Sequence, residues 1–315
     1  MLIEIRDLET QFKTRNGIVR AVDRVSVDFD VGEFVSFVGE SGCGKTTLAF
    51  SVIRLIPFPG RITAGQILFD GRDLTRISEN EMRTIRGKEI GMVFQDPMTS
   101  LDPLEKIGDL MIETILTHKK LSKDEAKEIA GDMLEKVGLP RNRLEYYPHQ
   151  LSGGQRQRVM IAMAIMLNPK LLIADEPTTA LDVIIQEKIM NLLDELRNEG
   201  KAVMFITHDF ALAAERSDRI AVMYAGWLME YGDSMKLVNE PLHPYSKALI
   251  QSVPDLWVDR EIKPIPGSPP DLSNPPEGCR FRPRCSFAKE VCRREPPEVN
   301  VDGRTVKCWL YGVKG

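Results

Sequence analysis

The stretch EFVSFVGESGCGKTTLAFSVIRLI, residues 33–56, decides the fold. Residues 33–38, EFVSFV, read as a strong strand leading into the glycine-rich loop. Residues 39–46, GESGCGKT, fit the pattern G-x4-G-K-[ST] in full. After them Leu48, Val52 and Leu55 recur at helical spacing. Strand, glycine-rich loop and helix is the setting a phosphate-binding loop needs. Glycines let backbone N–H groups converge on phosphate oxygens, and the helix that follows points its positive end at the same charge. Gly39, Ser41, Gly42, Cys43, Gly44, Lys45, Thr46 and Thr47 are the candidate phosphate and nucleotide contacts. Lys45 is expected to bridge the β- and γ-phosphates, Thr46 to ligate Mg²⁺, and Thr47 to add a contact nearer the α-phosphate. Cys43 lies within the loop at a free position and reads as a small structural residue.

Downstream, LLIADE at residues 171–176 is an apolar strand ending in two carboxylates. Asp175 is expected to hold Mg²⁺ and Glu176 to polarise an attacking water. The bland alternative, a solvated acidic strand end, is common in isolation. Here LSGGQ at residues 151–155 stands between the loop and the strand, at the start of a helix that runs to about residue 166. A capping box is expected at Ser122–Glu125. Residues 89–94 read as a buried strand, residues 97–168 as mostly helical, residues 183–198 as a helix and residues 202–207 as a strand. Residues 219–224 and 227–231 read as a hairpin. Alternating strands and helices imply an α/β fold with a buried parallel sheet.

The chain has 315 residues and a net charge of −4. That balance argues against wholesale nucleic-acid binding. No run of the sequence approaches the ~20 apolar residues of a membrane span, and the first residues lack a signal-peptide layout. A cytoplasmic chain is expected, reaching any membrane through other subunits.

The order of these motifs resembles the ABC ATPases over about residues 1–241. The resemblance implies a P-loop ABC ATPase core with a mixed, largely parallel sheet. A helical subdomain (about residues 97–168), an antiparallel β part and a small C-terminal lobe complete it. It implies Phe12 as the aromatic that stacks on adenine, with a core phenylalanine as the alternative. Gln95 is implied as a residue that senses the γ-phosphate and the Mg²⁺ site, and His208 as a switch histidine. Ser152, Gly153, Gly154 and Gln155 would offer a helix N-terminus to the γ-phosphate held by a second subunit. Asp182, in the run Ala180-Leu181-Asp182, belongs to a loop that communicates between sites. His118, His149 and His243 read as surface or packing residues.

Cys279, Cys285, Cys292 and Cys308 cluster in the last 37 residues, spaced C-x5-C-x6-C-x15-C. In a reducing compartment such a cluster favours metal over disulfides. The spacing lacks the tight pairs of most zinc modules, and zinc, a 4Fe–4S cluster and four reduced thiols all stay open. Seven of the 20 prolines fall in residues 253–276, which places a boundary between residues 1–252 and a Pro-rich, Cys-rich segment at 253–315. HPYSKALIQSVP (243–254), PIPGSPPDL (264–272) and PEGCRFRPRC (276–285) resemble the C-terminal extension of oligopeptide/dipeptide ABC importers. That resemblance implies an ATPase energising di- or oligopeptide import and favours the 4Fe–4S cluster over zinc. It further implies a second ABC ATPase subunit, two permease subunits and an extracytoplasmic peptide-binding protein. No direct peptide contact is expected of this chain. Nickel or oligosaccharide import by the same subfamily, or a soluble ABC ATPase acting on nucleic acid or ribosomes, are the alternatives.

Overall fold

The structure is a computed structural model that describes residues 1–15, 17–96, 100–179, 181–252 and 264–312. Its elements begin β1 (Ile3–Thr14), β2 (Gly17–Phe29), β3 (Phe34–Val38), α1 (Lys45–Val52), β4 (Gly60–Phe69) and β5 (Arg72–Asp73). There follow α2 (Glu79–Ile85), β6 (Ile90–Val93), α3 (Ile107–His118), α4 (Lys123–Lys136), α5 (Gly153–Ile165), β7 (Leu171–Asp175), α6 (Val183–Asn198) and β8 (Ala202–Ile206). The chain closes with α7 (Phe210–Arg216), β9 (Arg219–Tyr224), β10 (Trp227–Asp233), α8 (Ser234–Asn239), α9 (Pro244–Gln251), β11 (Glu298–Val301) and β12 (Arg304–Lys307). Two compact units result, Met1–Arg76 with Ile206–Gly315, and Ile77–Phe205.

In the first unit β1 is the middle of an antiparallel sheet ordered β2-β1-β4-β5. Its register slips between Ile5 and Leu8, where Asp7 takes a φ of 46°. A bulge of this kind bends a long strand and sharpens its twist. The sheet meets α1 through a buried contact of 2.8 Å between the hydroxyls of Thr10 and Ser51. A second run, β11-β12-β10-β9-β3, carries the phosphate loop at the end of β3. There β3 lies parallel to β9, with Phe37 opposite Ala221. Tyr224, Trp227, Tyr245 and Phe281 pack with Val38 and Val222 in one apolar cluster. Residues 264–312 thus contribute to the core under the phosphate loop.

In the second unit β6 and β7 pair in parallel, Val93 opposite Ala174. All five residues of β7 are buried, as a strand covered on both faces requires. The helices α3, α4 and α5 follow the expected periodicity. Ser122 and Glu125 form the reciprocal capping box at the start of α4: the Ser122 amide donates to the Glu125 carboxylate (2.8 Å), and the Glu125 amide donates to Ser122 Oγ (3.2 Å). Among the described residues, no helix is long and apolar enough to cross a membrane.

His243 is the packing histidine of the sequence reading, and it is fully enclosed. Its Nδ1 accepts the Tyr245 amide at 2.9 Å and caps α9. Burial lowers its pKa to about 3. Between about pH 6.5 and that value the folded chain therefore binds fewer protons than the unfolded chain. The resulting stability is complete above about pH 6.5 and is lost as pH falls. The loss is about 1.4 kcal/mol per unit, or about 2 kcal/mol by pH 5. Glu230, which accepts the His243 amide, acts in the opposite sense because burial raises its pKa. The substitution His243→Asn keeps an acceptor for the cap and removes only the imidazole term. Urea unfolding at pH 7 and pH 5 should show a smaller acid loss in that variant; an unchanged loss would refute the assignment.

Candidate nucleotide site

The phosphate loop joins β3 to α1 and is shaped by close backbone packing. Gly44 has a φ of 109°, and a Cβ there would lie 2.1 Å from the Ala21 carbonyl oxygen. At Gly39 the same atom would lie 2.1 Å from the Met223 carbonyl oxygen. Only glycine permits both approaches. Gly44 is the N-terminal cap of α1, whose first turn, Lys45-Thr46-Thr47, carries no acid. The backbone dipole and the Lys45 ammonium therefore present the same sign to the loop. Lys45 Nζ donates to the carbonyl oxygens of Gly39 (2.7 Å) and Glu40 (3.2 Å). Ser41 and Gly42 are exposed at the tip, while Thr46 and Thr47 are half-buried. Cys43 is buried, and burial raises its thiol pKa. Its carbonyl accepts the Gly226 amide at 2.8 Å.

Phe12 lies on β1 opposite Val19 and Gly60. Its half-buried ring covers Gly60, where a Cβ would come within 2.5 Å of it. His208 is exposed just beyond β8. The preceding Thr207 donates its amide to the Phe37 carbonyl at 3.2 Å, so His208 leaves the sheet at the edge where the phosphate loop leaves β3. Asp209 then caps α7 through the Leu212 amide at 3.1 Å.

The second unit gathers the other candidates. The parallel pairing of β6 and β7 puts exposed Gln95 and half-buried Glu176 beyond the same strand ends. Asp175, the last residue of β7, is fully buried. Glu176 takes a φ of 47°, and its carboxylate accepts the Thr179 hydroxyl at 3.2 Å. This is a sparsely populated backbone for a non-glycine residue, a frequent mark of a functional turn. Asp182 caps α6 by accepting the Ile185 amide at 3.0 Å. Ala180 lies outside the described residues.

Ser152 is the exposed cap of α5. Its hydroxyl accepts the Gln155 amide (3.3 Å), and the Gln155 side-chain oxygen accepts the Ser152 amide (3.1 Å). The first turn, Gly153-Gly154-Gln155, has no acid, and a Cβ at Gly153 would meet nothing within 4 Å. The helix N-terminus is thus positive, preorganised and open to the outside.

The ABC transporter family matches residues 22–179. The C-terminal region of oligopeptide/dipeptide transporters matches residues 229–292. The chain is 48% identical to the oligopeptide transport ATP-binding protein OppD of Bacillus subtilis, over 98% of this chain and 88% of that one. It is 47% identical to the dipeptide transport ATP-binding protein DppD of Escherichia coli, over 98% and 96% of the two chains. The chain belongs to the ABC transporter family. Among solved structures, a dimeric post-hydrolysis state of the ATP-binding cassette MJ0796 bound to ADP and Pi is similar. The match has a TM-score of 0.69 and 31% identity, over 74% of this chain and 99% of that one. The family assignment establishes the ABC cassette fold and makes this chain an ATPase.

The C-terminal cysteines differ from the sequence expectation. Cys279 and Cys308 are buried, Cys285 and Cys292 half-buried, and all four are free thiols. All four line one cavity of about 20 Å³, with His243, Phe281 and Trp309 in its wall. Burial pushes the Cys279 and Cys308 thiols up to about 11. Among the described residues, no group of three metal-binding side chains is gathered to hold an ion. The 4Fe–4S cluster or zinc expected from the sequence therefore finds no gathered set of ligands in the cysteines as they stand. Cys279 donates its amide to the Cys292 carbonyl at 2.9 Å, which ties their two turns together.

The sequence reading missed two residues, Tyr245 and Arg284, that hold the phosphate loop through its Glu40. The Glu40 amide donates to Tyr245 Oη at 2.9 Å, and the Glu40 carboxylate pairs with Arg284. No local pattern signals a contact between residues so far apart.

Proposed function

We propose that this chain is the ATP-hydrolysing subunit of an ABC importer of di- or oligopeptides, docked peripherally at the cytoplasmic face of the cell membrane. What carries the reading is the joint occurrence of an ABC cassette and an oligopeptide/dipeptide-type C-terminal region in one chain. Its relatives are named oligopeptide and dipeptide transport ATP-binding proteins.

In this reading the loop amides, Lys45 and the N-terminus of α1 bind the triphosphate, and Phe12 stacks on the base. Thr46, Gln95 and Asp175 would hold Mg²⁺, which supplies charge neutralisation at the phosphates when bound. Glu176 takes the proton of the attacking water as it bonds to the γ-phosphorus and the bond to the leaving ADP oxygen breaks. His208 and Gln95 contact the γ-phosphate. The signature turn at Ser152–Gln155 reaches the triphosphate of a second ABC subunit, and Asp182 links the two sites. Closure then depends on the γ-phosphate, and hydrolysis releases it. Two permease subunits and an extracytoplasmic binding protein complete the assembly, so peptide need not touch this chain. Residues 253–315 serve as its Cys-rich C-terminal regulatory or metal-binding region. The finer reading there is a 4Fe–4S cluster, or zinc, on Cys279, Cys285, Cys292 and Cys308. Its support is their convergence on one cavity, and it requires the thiols to move inward.

Anaerobic affinity purification from the native host tests both levels, with mass spectrometry of co-purifying proteins and metal analysis of the same sample. The expected result is two integral-membrane proteins and a second ABC subunit, with iron bound in the C-terminal lobe. Absence of membrane proteins would defeat the importer reading. A metal-free sample would defeat the cluster alone.

A further inference from the structure

Glu40 occupies a free position of the phosphate-loop pattern, so nothing in phosphate binding calls for an acid there. A carboxylate beside a polyphosphate site is repulsive unless it is neutralised. The Arg284 guanidinium meets it in a two-pronged pair, Nη1 to Oε2 at 2.6 Å and Nη2 to Oε1 at 2.9 Å. Arg284 is itself fixed: its side chain is 5% exposed, its Nε donates to the Pro266 carbonyl at 2.7 Å, and its Nη1 donates to Tyr224 Oη at 3.2 Å. A planar guanidinium held this way sets the direction as well as the charge of the carboxylate. Glu40 is therefore gripped at its carboxylate by Arg284, at its amide by Tyr245 and at its carbonyl by Lys45.

Arg284 stands next to Cys285 in the short turn that starts at Cys279. The Arg282 amide donates to the Cys279 carbonyl (3.0 Å) and the Arg284 amide to the Phe281 carbonyl (2.9 Å). Phe281 packs edge-on against Tyr224, with ring centroids 5.3 Å apart, and at 5.2 Å from Tyr245. These bonds and ring contacts tie the turn together, and its far end holds the phosphate loop through Arg284.

We propose that Arg284 is a positioning residue for nucleotide, through which the cysteine-bearing turn sets the affinity of the phosphate loop. The inference rests on the reading of that loop as an ATP site. Two effects are combined in the pair: it orients the loop entrance, and it cancels a negative charge that would otherwise face the triphosphate. Coupling of this kind is reciprocal, so ATP must in turn steady the 279–285 turn.

The test uses the assembled transporter with Arg284→Gln, Glu40→Gln and the double substitution, measuring KM for ATP, kcat and melting. Arg284→Gln is expected to raise KM about tenfold and change kcat less than about twofold, since the reacting atoms are untouched. Adding Glu40→Gln removes the uncompensated carboxylate and should bring KM back at least threefold, a rescue that simple loss of packing does not give. Hydrogen exchange of the unmodified protein provides a reading independent of any variant's folding. Amides of residues 279–285 should exchange at least threefold more slowly in saturating Mg-ATP. Unchanged KM in Arg284→Gln, additive effects in the double variant, or exchange insensitive to ATP would each overturn the proposal. If the unmodified transporter fails to bind ATP, the underlying site reading fails instead.

Discussion

Glu176→Gln should lower ATP hydrolysis by the assembled transporter at least about 100-fold while leaving ATP binding intact. Loss of a positioned general base typically costs about 10²–10⁴ in rate, or about 3–5 kcal/mol of barrier. The amide is isosteric with the carboxylate and can still accept the Thr179 hydroxyl, so the positive-φ turn at the end of β7 should survive. What disappears is the capacity to take a proton. On the proposed reading, in which opening follows γ-phosphate loss, the variant should accumulate in the ATP-bound, closed form. Single-turnover hydrolysis and nucleotide retention after gel filtration check both halves. Hydrolysis at the unmodified rate would remove Glu176 from its role.

The second large effect is expected at Gly153→Ala. Within this chain the substitution is nearly free: a Cβ there meets nothing within 4 Å, and the position opens α5 where alanine is a good helix former. Melting should move by no more than a few degrees. On the proposed reading hydrolysis should nevertheless fall by about 100-fold, because the added methyl would stand where the partner-held phosphate approaches the first N–H groups of the helix. Losing one such preorganised donor typically costs about 2.7–4 kcal/mol. A variant that is both stable and fully active would show that nothing docks on this turn. The contrast with Gly44 is instructive. There a Cβ would strike the Ala21 carbonyl, so the same change damages the chain itself.

The residues legible from sequence are those whose chemistry is local. The phosphate loop announces itself because glycine spacing, lysine and flanking elements lie within one short run. The Ser122–Glu125 capping box is equally local. β4 was not anticipated, because its mixed sequence becomes a strand only by pairing with β1. The β11–β12 hairpin had a readable signal in Asp302-Gly303, both at positive φ, which is the turn pair such hairpins favour. The C-terminal region read as a Pro-rich linker and separate lobe, yet Cys279 and Phe281 share a core with Val38 and Tyr224. Apolar residues scattered through proline-rich sequence carry no period, so no pattern told where they pack. The Glu40–Arg284 pair lies still further from any local rule, since it depends on a fold that returns residue 284 to the phosphate loop.

The central claim is that each ATP is held jointly by two ABC subunits. The most direct measurement is a structure of the assembled transporter carrying Glu176→Gln with Mg-ATP bound. The account predicts that the triphosphate seated on Lys45 of one subunit lies within hydrogen-bond distance of the signature serine and first helical amides of the other. A triphosphate contacted by one subunit alone, with every signature turn remote from it, would contradict the account.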